Sequence, residues 1–372
     1  FYIFNMYNMY TGNSPTISYK RATTSQHSTP ELTWPETWSY LPEQEQYPIS
    51  TRLAVAKHYD GKMFVFSTNS TNNRPVFRME TAAGSDSWTD WTQISSNQIG
   101  RIYCDTTHYG NAVLFGYDLA TGKIRYFRRR SGGGWENVLL GDRAVASSST
   151  WAVVKKGTGT QSRLMVVIRD ESMSSQLYQI TQNEDGSWPS NYQALSNSIC
   201  WYPDPTMKLQ GITDHNNRLN LFLPCVCTFK LRTCRQNDNG TWTDWQDVTD
   251  EWIGSYAVAL DAQASTKRIV VAYTTNDDFA CRRQTSDLSG WISQSISGNP
   301  NPDYESLSLL QLEGITWPDG HISFLANMST TGKLPCLPPL ASFYDTWILY
   351  GAYNSLTTGW KLCGGPYSCF EY

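Results

Sequence analysis

An all-β fold, a seven-bladed β-propeller closed by pairing N- and C-terminal strands in one blade, is what this sequence predicts, on three observations. A Gly-containing turn followed by Trp recurs at Trp88, Trp135, Trp188, Trp242, Trp291 and Trp360, with a period of roughly fifty residues, in the range of propeller repeats. Two copies are nearly literal, SWTDWTQI at Ser87 to Ile94 and TWTDWQDV at Thr241 to Val248. Apolar residues alternate with polar ones in runs rich in β-branched and aromatic side chains, so strands are expected and helices are not.

The first complete unit shows the pattern. LAVAKH, MFVFST and PVFRMET are strand-like runs separated by turn residues, and SWTDWTQI adds a fourth, which makes a four-stranded meander. Complete units fall at 51–95, 101–140, 143–196, 206–250, 254–297 and 305–364, the last lengthened by a loop at 335–346 before its third strand, WILYGAY. The first 45 residues supply three further runs, FYIFNMYNMY, TISYKRAT and TWPETWSYL, and residues 366–372 a leftover PYSCFEY. Joining them completes a seventh blade and hides the edges an open ring would expose. Residues 1–372 then read as a single domain, with each repeat Trp on an outer strand packed against the neighbouring blade.

Charged residues are 17% of the chain and aromatic residues 13%, a composition that folds. A net charge of -4 and a pI near 5.8 give no basic footprint for nucleic acid, and the run Arg128 to Arg130 reads as a solvated strand end. No apolar stretch approaches the roughly 18 residues that span a bilayer, and the opening FYIFNMYNMY is too polar for a signal h-region, so a mature chain without a membrane span is expected. Nine cysteines, none in a CxxC, and glycosylation sequons at Asn69, Asn239 and Asn327 point to a secreted protein or one of the secretory lumen. Cys225, Cys227 and Cys234 read as disulfide material.

In a meander the blade-to-blade links and the loops between second and third strands share a face, where propeller ligands gather near the axis. The links contain Tyr47, Arg52, Arg101, Tyr103, Arg143, Trp201, Tyr202, Trp252, Tyr256, Tyr304 and Tyr367, an aromatic ring with a few cations. Such walls suit a sugar face or a flat apolar metabolite. His58, His108 and His215 occupy the turn between first and second strands, on the opposite face, where turn chemistry explains them and separate blades keep them from sharing a metal. No HExxH, GxSxG, P-loop, GxGxxG or zinc-finger spacing is present, and neither a metal nor a cofactor is expected.

Blade by blade, the chain resembles the fungal fucose-specific lectins. GKIRYFRRRSGGGW, from Gly122 to Trp135, is the closest fragment, and Arg163, Arg218 and Arg268 match the leading Arg of that repeat. The resemblance implies between-blade pockets that grip fucose with an Arg, a Glu and an aromatic residue. Here the Glu position carries Tyr126, Tyr178, Thr233 and Arg282, which leaves one surviving site near Arg78, Glu80 and Trp88. Those lectins commonly have six blades.

Outer strands that repeat around inner loops that diverge suit one pocket with non-equivalent walls. In that respect the chain also resembles the fungal hetero-Diels–Alderases of tropolone-sesquiterpenoid pathways. This resemblance implies a cofactor-free pericyclase that joins a quinone methide to a terpene alkene by holding the two in near-attack geometry. Trp201, Tyr202, Trp252, Tyr304, Tyr47 and Tyr367 would bind substrate, and Arg101, Arg143 and Tyr256 would form the catalytic set, with the arginines on a tropolone or quinone oxygen. The expected partner is then a small apolar or aromatic metabolite. A fucose-lectin-like protein that binds a glycan is the alternative, and a polysaccharide lyase, needing a Tyr or His base beside an Arg, is the third.

Overall fold

The computed structural model describes residues 53–297 with gaps, the longest at 196–207, and outside that span 2–7, 16–21, 39–41, 49–50, 307–316, 322–330, 343–347, 350–351 and 360–363. No α-helix occurs among the described residues. An N-terminal sheet contains β1 (Tyr2–Tyr7), β2 (Thr16–Arg21) and β3 (Ser39–Tyr40). Five four-stranded meanders follow. Sheet I is β4 (Ala54–Lys57), β5 (Met63–Thr68), β6 (Pro75–Met79) and β7 (Thr92–Gln93). Sheet II is β8 (Ile99–Thr106), β9 (Ala112–Asp118), β10 (Ile124–Arg129) and β11 (Trp135–Leu139). Sheet III is β12 (Trp151–Lys156), β13 (Arg163–Arg169), β14 (Leu177–Thr181) and β15 (Gln193–Ala194). Sheet IV is β16 (Gln210–Thr213), β17 (Leu219–Cys225), β18 (Lys230–Arg235) and β19 (Gln246–Asp247). Sheet V is β20 (Tyr256–Asp261), β21 (Arg268–Thr274), β22 (Phe279–Gln284) and β23 (Trp291–Gln294).

Burial explains why these runs become these strands. The second strands, such as LMVVI in β13 and LNLFLPC in β17, are buried almost throughout because both of their faces are covered, and continuous apolar runs are what such a position selects. Where it is described, the outermost strand is far more exposed, as in β15 and β19, which are two residues each. In the first three sheets the second strand ends at a buried Asn69, Asp118 or Asp170, each bridged to an apolar link residue, Ile49, Ile99 or Val145. Asn69 Oδ1 accepts the amides of Thr71 and Asn72, and Asp118 Oδ1 those of Ala120 and Thr121, so these side chains build the next turn. Of the three sequon asparagines, Asn69 is 5% exposed, Asn239 is exposed at a hairpin tip and Asn327 lies in a strand.

The chain divides into two compact units: Phe1–Val153 with Gly157–Ser174 and Tyr178–Ala194, and Val154–Lys156 with Ser175–Leu177 and Leu195–Tyr372. In the first, Trp135 of sheet II packs edge-on against Phe66 and Phe77 of sheet I at 5.9 and 5.0 Å, and Trp188, after sheet III's third strand, packs against Phe115 and Tyr126 of sheet II. In the second, Trp291 of sheet V packs against Phe222 of sheet IV at 5.9 Å. These Trp positions are therefore structural, as the repeat predicts, each adding about 0.5–1.5 kcal/mol beyond its area burial.

The C-terminal part departs from expectation. β25 (Leu307–Thr316), β26 (Ile322–Thr330) and β27 (Phe343–Trp347) form a three-stranded sheet after the short β24 (Ile296–Ser297). The third strand is thus FYDTW rather than WILYGAY, since the earlier run is the one that pairs antiparallel with β26, from Phe343 opposite Thr330 to Trp347 opposite Ala326. WILYGAY is split, contributing β28 (Tyr350–Gly351) to a separate sheet with β29 (Trp360–Cys363), whose other neighbour is β24, in parallel. Residues 366–372, expected to complete the N-terminal sheet, lie outside the described residues. Cys234 is a buried free thiol, as is Cys281, which corrects the reading of Cys234 as disulfide material.

Candidate functional site

Where sheets I and II meet in the first unit, a cleft of about 180 Å³ opens on the face that carries the hairpins between first and second strands. Sheet I gives it His58, Tyr59, Asp60, Lys62, Phe64 and Met79, and sheet II gives Asn111, Arg129, Arg130 and Gly133. The β4–β5 turn shapes one wall. It closes through His58 N to Lys62 O at 2.8 Å and Gly61 N to His58 O at 2.9 Å, with Gly61 in the left-handed region. Asp60 Oδ1 accepts the Lys62 amide and meets His58 Nδ1, both at 3.1 Å, while Lys62 Nζ lies 3.7 Å from Oδ2.

Burial pushes the Asp60 carboxyl upward, but the Lys62 amide and His58 outweigh it and hold its pKa below the ordinary value. A carboxylate there accepts hydrogen bonds only, so Nδ1 is the protonated ring nitrogen and Nε2 is the acceptor when His58 is neutral.

Sheet II fixes this turn in place. Thr106 Oγ1 donates to the Lys57 carbonyl at 2.8 Å. Gly110, at φ +78°, lies so close to Tyr59 that a Cβ would stand 2.6 Å from the Tyr59 Cβ, so both the backbone angle and the space demand glycine. Tyr59 is left 66% exposed at the rim, its ring 4.2 Å from that of His58.

Arg129 supplies the floor. Its guanidinium lies 5.1 Å from the Phe77 ring centroid and 5.8 Å from those of Phe64 and Trp135, a cation set among aromatic faces. Burial lowers its pKa, against the pull of Asp60, yet a guanidinium remains charged. The basic run is therefore divided in three: Arg128 pairs with Glu136 at 2.6 Å, Arg129 turns onto the aromatic floor, and only Arg130 is exposed.

Hairpin register shows why Arg129 is unusual. The residue that faces the repeat Trp at the third-to-fourth-strand hairpin is Glu80, Arg129, Gln236 or Gln284 in sheets I, II, IV and V. Gln182 takes the same place in sheet III, since Asn183 N bonds Ser187 O as Arg130 N bonds Gly134 O. Glu80 and the three glutamines are buried. Gln182 and Gln236 turn inward to the carbonyls of Gly186 and Gly240, and Glu80 accepts the Met63 amide. Glu80 thus corresponds to Arg129 and not to Tyr126, which corrects the alignment behind the fucose-site expectation. The expected surviving site is also closed: Glu80 is 0% and Arg78 1% exposed, and Arg78 donates from Nε and Nη2 to the Thr89 carbonyl.

The link-face candidates are placed as follows. Arg101 lies over the Trp151 ring at 5.9 Å, and Arg143 pairs with Asp170 over the Tyr178 ring at 3.9 Å, both in the first unit. In the second unit Trp252 is 40% exposed. Tyr256 is 4% exposed, with its hydroxyl between the carbonyls of Phe222 and Lys208, so it ties sheets IV and V together and presents nothing to a ligand. Tyr47, Trp201, Tyr202, Tyr304 and Tyr367 lie outside the described residues. Among the described residues no three His, Cys, Asp or Glu side chains converge to hold a metal. The sequence does signal the cleft, through the repeated His-Tyr of KHYDGK and THYGN and through the arginine run, but the two signals lie some seventy residues apart and meet only in three dimensions.

No family model matches the chain, and no curated protein matches it in sequence. Solved structures do. An ulvan lyase of polysaccharide lyase family PL25 is similar over 96% of this chain and 90% of its own, at 10% identity and a TM-score of 0.54. The likeness is one of fold. The fucose-specific lectin of Aleuria aurantia, described as a six-bladed β-propeller, matches 82% of this chain and 97% of its own at 13% identity and a TM-score of 0.47. AofleA from Arthrobotrys oligospora matches 80% of this chain and 87% of its own at 10% identity and a TM-score of 0.48.

Proposed function

We propose that the chain is a carbohydrate-binding β-propeller whose saccharide site is the cleft between sheets I and II. One observation carries the reading: the cleft combines an exposed aromatic ring, Tyr59, with the apolar Phe64 and Met79 and with hydrogen-bonding groups of both polarities, Asp60, Asn111, Lys62 and Arg130. A sugar ring has an apolar face to stack and a hydroxyl edge that both donates and accepts, and this lining answers each. A fold shared with a polysaccharide lyase agrees with it. Within the same proposal the sheets close into a seven-bladed ring, the three-stranded N-terminal sheet leaving room for a strand from residues 366–372. The metabolite-cyclase expectation draws no comparable support, since Tyr256 is core and Arg143 is held by Asp170. A glycan array tests the reading. Binding should be lost in Tyr59→Ala with the melting temperature unchanged, and a chain that binds no glycan contradicts it.

A second reading, polysaccharide lyase, is favoured by His58, whose Nδ1 is engaged by Asp60 inside a cleft that also holds cations. Neutral His58 would take the proton beside a uronate carboxylate as the glycosidic C–O bond breaks, water would protonate the leaving oxygen, and an unsaturated uronate would result. Appearance of that ultraviolet-absorbing product, abolished in His58→Ala, tests it.

A further inference from the structure

We infer that the cleft between sheets I and II takes an acidic unit of a saccharide, with Arg130 and Lys62 meeting its anionic group. The inference rests on the carbohydrate-binding reading and adds the class of sugar.

Three observations converge on it. The cleft gathers Lys62, Arg129 and Arg130 around one carboxylate, Asp60, in a chain whose net charge is -4. Asp60 is engaged by His58 and the Lys62 amide and lies 3.7 Å from Lys62 Nζ, so one carboxylate stands against three cations and a cationic excess remains. The second observation is the pairing of other arginines in the sheets. Arg125 meets Asp118 at 2.7 Å, Arg128 meets Glu136 at 2.6 Å, Arg163 faces Glu184 at 3.9 Å, and Arg218 lies between Asp214 and Asp238 at 3.6 and 3.9 Å. Among the described residues Arg130 has no acidic partner within ion-pair distance.

The third observation is positional. In sheet IV, Arg218 immediately precedes the second strand and the neutral Asn237 follows Gln236 in the third-to-fourth-strand hairpin. By the same register, sheet II has Asn111 and Arg130 at these two positions, so a neutral amide of the repeat, Asn183 in sheet III and Asn237 in sheet IV, is replaced by a cation. The residue facing the Trp changes in the same direction, from Glu or Gln in the other sheets to Arg129. Two adjacent positions of one repeat have become cationic where a cleft is open. An anion brought there forms charge-assisted hydrogen bonds, stronger than neutral ones, beside an aromatic floor that excludes water.

An array of neutral, carboxylated and sulfated oligosaccharides, each acid paired with its methyl-esterified or desulfated counterpart, tests the inference with the full chain and Arg130→Glu. The acidic form should bind at least about tenfold more tightly than its neutralised partner, and Arg130→Glu, at an exposed position, should remove about that factor without lowering the melting temperature. Preference for the carboxylated or for the sulfated set identifies the anion, and either supports the inference. Equal binding of acidic and neutralised forms, lost in Tyr59→Ala but indifferent to Arg130→Glu, overturns it and leaves carbohydrate binding standing. No binding of any glycan overturns both.

Discussion

Two clusters in the first unit contain the same kinds of side chain, yet only one can meet a ligand. Around Arg78, Glu80 and Trp88 the carboxylate and guanidinium are shut in, serving the Met63 amide and the Thr89 carbonyl. Around His58, Asp60 and Arg129 similar groups face an open cleft rimmed by exposed Tyr59 and Arg130. Residue type does not distinguish them. What does is the turn geometry: Gly110 holds the His-Tyr turn of sheet I against sheet II, and Arg129 replaces an inward-turning Glu or Gln. A triad of suitable residues is a site only where the backbone leaves it unsatisfied.

The largest expected effect breaks the closed cluster. Arg78→Ala removes a buried guanidinium and strands the Thr89 carbonyl, at a cost of about 3 kcal/mol in chemical denaturation, while glycan affinity of the folded fraction stays unchanged. Altered affinity at unchanged stability would invert the assignment of the two clusters.

Next, Gly110→Ala attacks the open one. A left-handed alanine costs about 1–2 kcal/mol, and its Cβ must displace Tyr59, so glycan binding should fall by about tenfold or more, beyond what the loss of stability explains. Binding that survives this change would separate the His-Tyr turn from the site.

The smallest effect sharpens the electrostatics. The Asp60 pKa is held down in the folded chain, so its contribution to stability is present above the unfolded carboxylate value and is lost as pH falls through the lower folded value, below about 4. Asp60→Asn should remove that portion of the acid dependence of the melting temperature. An unchanged acid limb would mean that the His58–Asp60–Lys62 turn is not electrostatically held.

Much of the fold was legible in the sequence, because a Gly turn before a Trp leaves a mark that survives divergence, and Trp135, Trp188 and Trp291 pack against the neighbouring sheet as that mark implies. The site was not. Matching the Gly-Lys-Ile-Arg fragment fails because it puts the repeat's Glu at Tyr126, three residues before Arg129, which faces Trp135 as Glu80 faces Trp88 across a longer turn. Nor does sequence say which arginine of three is solvated, since Arg128, Arg129 and Arg130 are distinguished by a carboxylate, an aromatic floor and open water. Tyr256 shows the same difficulty from the other side, an aromatic link residue that the fold uses for two carbonyls of its own.

Methyl-labelled methionine resonances test the central claim most directly, because Met79 lines the cleft while Met165 is buried in sheet III. On titration with a glycan the chain binds, the Met79 methyl should shift saturably, and Met165 should stay fixed. Saturable binding that leaves Met79 unmoved would place the saccharide elsewhere and contradict the account.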